Sequence, residues 1–339
     1  MHSVVNDSVD PRISIIVVAY NRKQYILNAI RSILNQDLPS NHYEIILVKN
    51  FSDEEIDSFL LENGVTNILV NDGSWGESLF TGINVSRGRI VAFLDDDDEF
   101  YPNKLSRVYE VFQTLKEVVY YHNSFELVSY KGDKLKSPLY SGQGMTKVIS
   151  KHDQSGIISI FRRGLFSNLS SVAVSRELLI FNLKSIKGLQ TAMDVFTFFM
   201  ALDSGKKLYF DKAVLTKYYI RRQSAMHSIG DFEAFIKSGI RESNNEFEAY
   251  KSLSKKLNED QLLQIANGIG VQWKILFDSL SENYNTSEFL KNYIYFLKQA
   301  YNIRPKYTAL ISLVVFLRIL FGNKAKFIFF VLRTKIVIA

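Results

Sequence analysis

Cysteine is absent from this chain of 339 residues. Its absence excludes disulfides, thiolate metal sites and a cysteine nucleophile. Histidine is scarce, and His2, His42, His122, His152 and His227 have no spacing that suits a zinc site. Acid is missing from one end. After Glu288 there is no Asp or Glu, whereas nine basic residues follow: Lys291, Lys298, Arg304, Lys306, Arg318, Lys324, Lys326, Arg333 and Lys335. The net charge of +6 therefore belongs to the C-terminus, and the rest of the chain is neutral to slightly acidic. A general nucleic-acid surface is not expected from that distribution. Nor is a signal peptide, because the first apolar run, ISIIVVAY, is short and lacks a basic segment before it. With 47% apolar and 22% charged residues, the chain has globular composition, and a flexible segment is expected only over residues 1–10.

The apolar runs alternate in kind. ISIIVVAY (13–20) is a continuous β-branched run, as in a strand covered on both faces. RKQYILNAIRSILNQ (22–36) has helical spacing and is punctuated by Pro39. YEIILVK (43–49) reads as a second buried strand. DEEIDSFLLENG (53–64) reads as a helix with acids in its first turn and Gly64 at its C-cap. TNILVN (66–71), a loop DGSWG, a short helix and RIVAFL (89–94) follow. This β-α-β-α-β-α-β order predicts a mostly parallel, Rossmann-like sheet with helices on both faces. Ligands then bind beyond the carboxyl ends of the strands, where AYNR, VKNFSD, NDGSWG and LDDDDE all lie. Beyond the fourth strand, EVVYYHNSFELVSY (117–130) alternates like an antiparallel strand. The stretch 131–170 yields no assignment, MDVFTFFMAL (193–202) reads as a helix, and KKLYFDKAVLTKYYI (206–220) as one or two strands. The pattern is helical from 231 to about 300. The expected organisation is an α/β domain over 11–230, a helical extension over 231–305 and a basic, apolar tail over 306–339.

That tail contains YTALISLVVFLRILF (307–321) and FIFFVL. A helix spanning a bilayer needs ~20 apolar residues, and these runs are shorter, with Arg318 inside. They suit helices lying in a membrane interface, with lysines and arginines reaching anionic headgroups. The plainer reading is a pair of core helices folded back on the protein. A cytoplasmic membrane face is the expected location.

Four carboxylates at Asp95, Asp96, Asp97 and Asp98 raise one another's pKa unless a cation sits among them. Mg²⁺ or Mn²⁺ would serve, using one or two carboxylates and completing its shell with substrate phosphates. A solvated turn capping the helix near Pro102 is the bland alternative.

The context carries a resemblance. FLDDDDEFYPNKL resembles the donor-site motif of family 2 glycosyltransferases, a strand followed by Leu-Asp-x-Asp-Asp, with Leu94, Asp95, Asp97, Asp98, Pro102 and Leu105 in register. ISIIVVAYNRKQYILNAIRSILNQ is similar to the family's first strand and helix, with Ala19, Tyr20 and Asn21 where the family has Thr-Tyr-Asn. Gly82 and Gly88 fit the spacing between the two, and Met193-Asp194-Val195-Phe196 matches the family's acid before an aromatic-rich helix. The resemblance covers about 13–225. It implies a GT-A fold, a nucleotide-sugar donor and inversion at the anomeric carbon. It also implies that Asp97 and Asp95 bind Mn²⁺ or Mg²⁺ at the donor diphosphate and that Asp95 and Asp96 hold the ribose or waters. Asp194 becomes the general base toward an acceptor hydroxyl; its plainer role is an N-terminal helix charge. The acceptor is expected to be lipid-linked or an envelope glycan.

Two departures stand out. The family's second strand commonly ends Asp-Asp-Gly-Ser, its first acid contacting the base, whereas this chain has Lys49-Asn50-Phe51-Ser52; Asn50 is the remaining candidate for a base edge. The family's Ala-Arg-Asn is replaced by Ser78-Leu79-Phe80, which leaves Arg221, Arg222 and His227 as candidates for the diphosphate. Trp75 is a candidate to stack on sugar or base. A phosphotransferase is disfavoured, since its acids follow the first strand rather than the fourth. A catalytically degenerate protein that binds a sugar nucleotide or a partner is the main alternative.

Overall fold

A computed structural model describes residues 11–71, 74–129, 131–135, 144–220, 223–224, 227–228, 232–257, 260–281, 286–300, 305–322 and 324. Arg221 and Arg222 lie outside these residues, as do the first ten residues and most of the tail beyond Phe321.

The first half of the sheet follows the sequence pattern closely. Strands β1 (Ile13–Ala19), β2 (Tyr43–Lys49), β3 (Thr66–Leu69) and β4 (Ile90–Asp95) pair in parallel in the order β3-β2-β1-β4. Helices α1 (Ile26–Leu34), α2 (Glu54–Glu62) and α3 (Trp75–Val85) are the crossovers. Since side chains alternate along a strand, β1 feeds two cores. Ile13, Ile15 and Val17 pack with α1, α2 and α4 (Lys104–Thr114), while Ile16 and Val18 pack with α3, α5 (Gln154–Arg163) and α8 (Met193–Asp203). Both faces of β1 are covered, which is why its run is apolar without interruption.

The second half of the sheet is mixed, in keeping with the alternating pattern at 117–130. From β4 the order continues through β8 (Val172–Ser175), β6 (Val118–Ser129), β9 (Lys207–Ile220) and β5 (Glu99–Phe100). Here β8 runs antiparallel to both β4 and β6, and β9 lies parallel to β6. The short β5 and β7 (Lys147–Ile149) pair antiparallel with β9. Parallel pairing thus holds for the nucleotide-type half and becomes mixed beyond β4. KKLYFDKAVLTKYYI is a single strand, and its pairing with β6 is interrupted by register shifts at Asn123 and Ser124.

The α1 helix covers the apolar positions Ile26 to Leu34, and residues 22–25 lead into it after Asn21, whose φ is 53°. The α2 helix starts where expected, with the Asp53 side chain accepting from the Ile56 amide, and it ends before Gly64, which has φ +66°. Two short helices, α6 (Arg176–Phe181) and α7 (Leu183–Lys187), precede α8, and among the described residues α9 (Phe232–Ser254), α10 (Asp260–Leu280), α11 (Thr286–Ala300) and α12 (Pro305–Phe321) follow β9. Tyr250, Leu253, Leu262, Ile265 and Ala266 join the core that holds α8, so α9 and α10 rest against that helix.

One backbone contact sets the spacing between β1 and β4. Gly88 donates to Ser14 Oγ at 2.8 Å. A methyl group there would meet the Ser14 amide nitrogen at 2.5 Å and the Ile13 carbonyl carbon at 2.7 Å. Because both are backbone atoms, relief requires moving β1 itself. Gly88→Ala is therefore expected to destabilise the protein by about 1–3 kcal/mol, the usual range for overpacking. Chemical denaturation measures it, and an unchanged midpoint would contradict the close approach.

Candidate functional site

The ends of β1, β2 and β4 meet at one rim, and the loop chemistry begins with Asn21. The Asn21 amide donates to Asn50 Oδ1 at 2.8 Å, and Asn50 Nδ2 donates to Asn21 Oδ1 at 2.9 Å. This reciprocal pair clasps β1 to β2 and stabilises a backbone conformation that asparagine tolerates better than most residues. Tyr20, just before it, is 48% exposed, whereas Ala19 is buried.

The clasp places Arg22 over the aspartates. Its Nε donates to Asp96 Oδ2 at 3.1 Å, a second guanidinium nitrogen pairs with Asp96 Oδ1, and the third lies 2.8 Å from Asp97 Oδ2. Burial alone would lower the guanidinium pKa, yet bonding to Asp96 and the charges of Asp96, Asp97 and Asp95 raise it above its ordinary value. Arg22 thus supplies the cation that adjacent carboxylates need.

The four aspartates do not share one environment. The chain turns sharply here, with the Asp98 amide bonded to the Asp95 carbonyl at 3.1 Å, so the side chains diverge. Asp96 faces Arg22 and is 3% exposed. Burial, partly offset by Arg22, pushes its pKa up to about 6. Asp95 accepts no side-chain hydrogen bond among the described residues, and burial with the charges of Asp97 and Asp96 pushes its pKa up to about 7. Asp98 points into the protein, where it accepts from Ser170 Oγ at 2.6 Å and from the Tyr219 amide at 3.0 Å. Beyond it lies Lys104, fully buried, whose Nζ donates to the Ser170 carbonyl at 2.5 Å and to Thr216 Oγ1 at 3.1 Å. Burial pushes the Lys104 ammonium well below its usual pKa, against the pull of Asp98.

Asp194 stands at the first turn of α8. Its two oxygens accept from the Val195 amide at 2.9 Å and the Asn168 amide at 2.9 Å. Burial raises its pKa in spite of these bonds, and its charge in turn raises that of Asp95. The two carboxylates adjoin the same short turn, since Asn168 donates to Asp194 and Ser170 Oγ accepts from the Asp95 amide. Tyr120 is fully buried, and its hydroxyl has no hydrogen-bond partner among the described residues. Its pKa is raised by burial and by the Asp194 charge.

One short segment ties the two carboxylates together. In Asn168–Ser171, Asn168 adopts φ 79° and donates to Asp194, while Ser170 Oγ accepts from the Asp95 amide at 3.0 Å and donates to Asp98. It lies in the stretch that sequence reasoning left unassigned. Arg22 was also missed, although it adjoins the motif residues Tyr20 and Asn21.

The altered β2 loop is built around Lys49, which is 1% exposed and donates to the Phe51 carbonyl at 2.6 Å and to Asp57 Oδ1 at 2.8 Å. Asn50 is engaged with Asn21. Trp75 opens α3 and packs, half-buried, against the core. The side chains of Arg221, Arg222 and His227 are outside the described residues.

The comparisons with known proteins bear on the family and the fold. Residues 14–170 match the profile described as Glycosyl transferase family 2. This segment is a family 2 glycosyltransferase domain. An uncharacterized glycosyltransferase of Rickettsia prowazekii is 32% identical over 129 residues, 37% of this chain and 40% of that protein. The putative teichuronic acid biosynthesis glycosyltransferase TuaG of Bacillus subtilis is 25% identical over 142 residues, 40% of this chain and 55% of that protein. The chain spans 24–44% of the length of the first five curated relatives it matches. Among solved structures, S. aureus TarS 1-349 in complex with UDP-GlcNAc superposes with a TM-score of 0.53 at 16% identity, over 88% of this chain and 90% of that one. The fold is therefore GT-A. The family match ends at Ser170, so Asp194 lies beyond it.

The charge crowding has a measurable consequence. An aspartate whose pKa is raised in the fold stabilises the protein below its unfolded pKa, and that stability is lost as pH rises through the folded pKa. With Asp96 near 6 and Asp95 near 7, metal-free protein should lose stability between about pH 4 and 7. Asp95→Asn should flatten this dependence and raise stability at pH 8 by roughly 1 kcal/mol or more, since one pKa unit corresponds to ~1.4 kcal/mol. Thermal unfolding in EDTA at pH 5 and pH 8 tests this. A variant no more stable than wild type at pH 8 would remove the crowding argument.

Proposed function

We propose that this chain is an inverting glycosyltransferase that moves a sugar from a nucleoside-diphosphate donor to a hydroxyl acceptor, with Asp95 and Asp97 holding Mn²⁺ or Mg²⁺ and Asp194 acting as general base. The observation that carries the reading is one turn shared by two differently supported carboxylates. Asp95 ends β4 with its amide bonded to Ser170 Oγ, and Asp194 on α8 accepts from the Asn168 amide of that same turn and from the Val195 amide.

The residues fit a divalent ion of the sparse kind. The described residues bring no three His, Cys, Asp or Glu side chains into one cage. Asp96 is held by two nitrogens of Arg22 and Asp98 is turned to the interior, so Asp95 and Asp97 would hold the ion, Asp97 by exchanging its Arg22 contact for it. One or two carboxylates completed by substrate phosphates is the usual Mg²⁺ or Mn²⁺ arrangement. Such an ion would neutralise charge growing on the leaving nucleoside diphosphate. Asp194 would take the proton from the acceptor hydroxyl as its oxygen forms the new bond to the anomeric carbon and the bond to the diphosphate breaks. Burial raises its pKa, which makes it a better proton acceptor while two amides fix its direction. Asn21 and Tyr20 line the same rim as the donor aspartates.

The UDP-GlcNAc in the TarS complex makes that compound the first donor to test, and the teichuronic acid assignment of TuaG favours an envelope-glycan or lipid-linked acceptor. A membrane surface suits such an acceptor. No helix among the described residues is long and apolar enough to cross a bilayer. On α12, Ile311, Val314 and Val315 face the helical core, whereas Leu313, Phe316, Ile319 and Leu320 are exposed. Arg318 caps α10 rather than reaching outward, donating to the Ser279 carbonyl at 3.1 Å. Lys291, Lys298 and Lys324 are exposed and basic, as a cytoplasmic membrane face would require. A second reading, a sugar-nucleotide-binding protein without turnover, is favoured by the β2 loop, whose Lys49 and Asn50 are both committed to internal bonds.

Two measurements follow from the reading. Asp194→Asn is expected to lower turnover of the donor by about 10²–10⁴-fold while leaving UDP affinity within about twofold of wild type. Equal loss of binding and turnover would reduce Asp194 to a helix charge, and wild-type binding without turnover would favour the second reading. Phe316→Ser/Ile319→Ser is expected to reduce flotation with phosphatidylglycerol-rich vesicles, relative to wild type. Unchanged flotation, or none by wild type, would contradict the α12 surface.

A further inference from the structure

We propose that Arg22 is a resident cation of the donor site: it competes with an incoming divalent ion for Asp97 and, anchored on Asp96, remains to bind the donor's diphosphate. The proposal rests on the donor-site reading above.

The guanidinium is not symmetrically held. Two of its nitrogens engage Asp96 and one engages Asp97. The Asp96 side chain is 4% exposed and that of Asp97 11%, while Arg22 itself is 27% exposed. A forked pair with a deeply buried carboxylate is the stronger attachment, both in geometry and in energy. The single contact with Asp97 is the one that yields. A divalent ion drawn to Asp97 must displace that nitrogen, which then faces the open side of the site with its donors unused.

Three features make Arg22 suited to what happens next. A guanidinium does not deprotonate, so it stays positive however the neighbouring carboxylates titrate. Its planar fork matches phosphate oxygens. Its backbone is fixed by the Asn21–Asn50 clasp, whose bonds of 2.8 and 2.9 Å join the ends of β1 and β2. Asp96 then has a defined use, as the anchor that keeps Arg22 beside the metal site after Asp97 is given up. The competing explanation is an ordinary ion pair that stabilises the fold. The two differ in sign: a merely structural Arg22, once removed, weakens every ligand, whereas a competitor, once removed, strengthens the metal.

The test uses the full chain and needs no turnover. Mn²⁺ binding to protein alone is followed by the electron paramagnetic resonance of free Mn²⁺. UDP, GDP and TDP are then titrated calorimetrically at saturating Mn²⁺. Arg22→Gln is expected to bind Mn²⁺ alone about threefold tighter or more, as a bonded competitor is removed. It should bind the preferred nucleoside diphosphate about tenfold weaker or more, as expected for losing charge-assisted hydrogen bonds. Arg22→Lys, which keeps the charge and loses the fork, should also bind nucleotide more weakly while binding Mn²⁺ no more weakly than wild type, and it carries the test if the glutamine variant does not fold. Weakening of both ligands, or isotherms identical to wild type, overturns the proposal. If wild type binds neither Mn²⁺ nor any of the three nucleotides, the donor-site reading itself fails.

Discussion

The site depends on a single electrostatic problem, the placing of four carboxylates in four consecutive residues at the end of a buried strand. Like charges so close resist ionising together, and burial makes each worse. The fold answers by sending them apart. The turn from Asp95 to Asp98 directs Asp96 to Arg22 and Asp98 inward to Ser170 Oγ and the Tyr219 amide, with buried Lys104 bonded to the Ser170 carbonyl beyond. Asp97 takes the remaining guanidinium nitrogen of Arg22, and Asp95 is left at the end of β4 with its amide bonded to Ser170. Natural folds keep such frustration where function requires it, at a cost in stability.

Much of the second half of the molecule serves that arrangement. The mixed strands β8 and β9 bring the Asn168–Ser171 turn and the Tyr219 amide against Asp98, and α8 brings Asp194 against the same turn. Ser170 touches the Asp95 amide and the Asp98 carboxylate, and Asn168 touches Asp194. Movement of this turn is felt by both halves of the site. The helices α9 and α10 pack behind α8 and share its core, so the C-terminal helices support the site from outside it.

The legible part of the sequence was the part governed by short-range periodicity. The β-branched runs of β1, β2 and β4, the acidic start of α2, and the aspartates at a strand end are all local patterns, and the parallel half of the sheet follows from them. The unread part depends on contacts far apart in sequence. The pairing of β8 between β4 and β6 has no local signature, since Val172–Ser175 is only four residues long. Arg22 meets Asp96 across 74 positions. Lys49 looks like a solvent-facing end of a strand, yet Asp57 and the Phe51 carbonyl allow it to be buried. The Asn168 turn lies between α5 and β8, among residues too few to show a strand or helix period.

If the crowded aspartates exist to hold a divalent ion together with a diphosphate, that pair of ligands must relieve the frustration it exploits. The most direct measurement is thermal unfolding at pH 8 of wild type and Asp97→Ala, each in EDTA and in Mn²⁺ with UDP. The account predicts a clear rise in the wild-type midpoint with both ligands, larger than with either alone, and little rise in the variant, since stabilisation by a ligand follows its affinity for the folded state. Equal midpoints with and without ligands in wild type, or an equal rise in the variant, would contradict it.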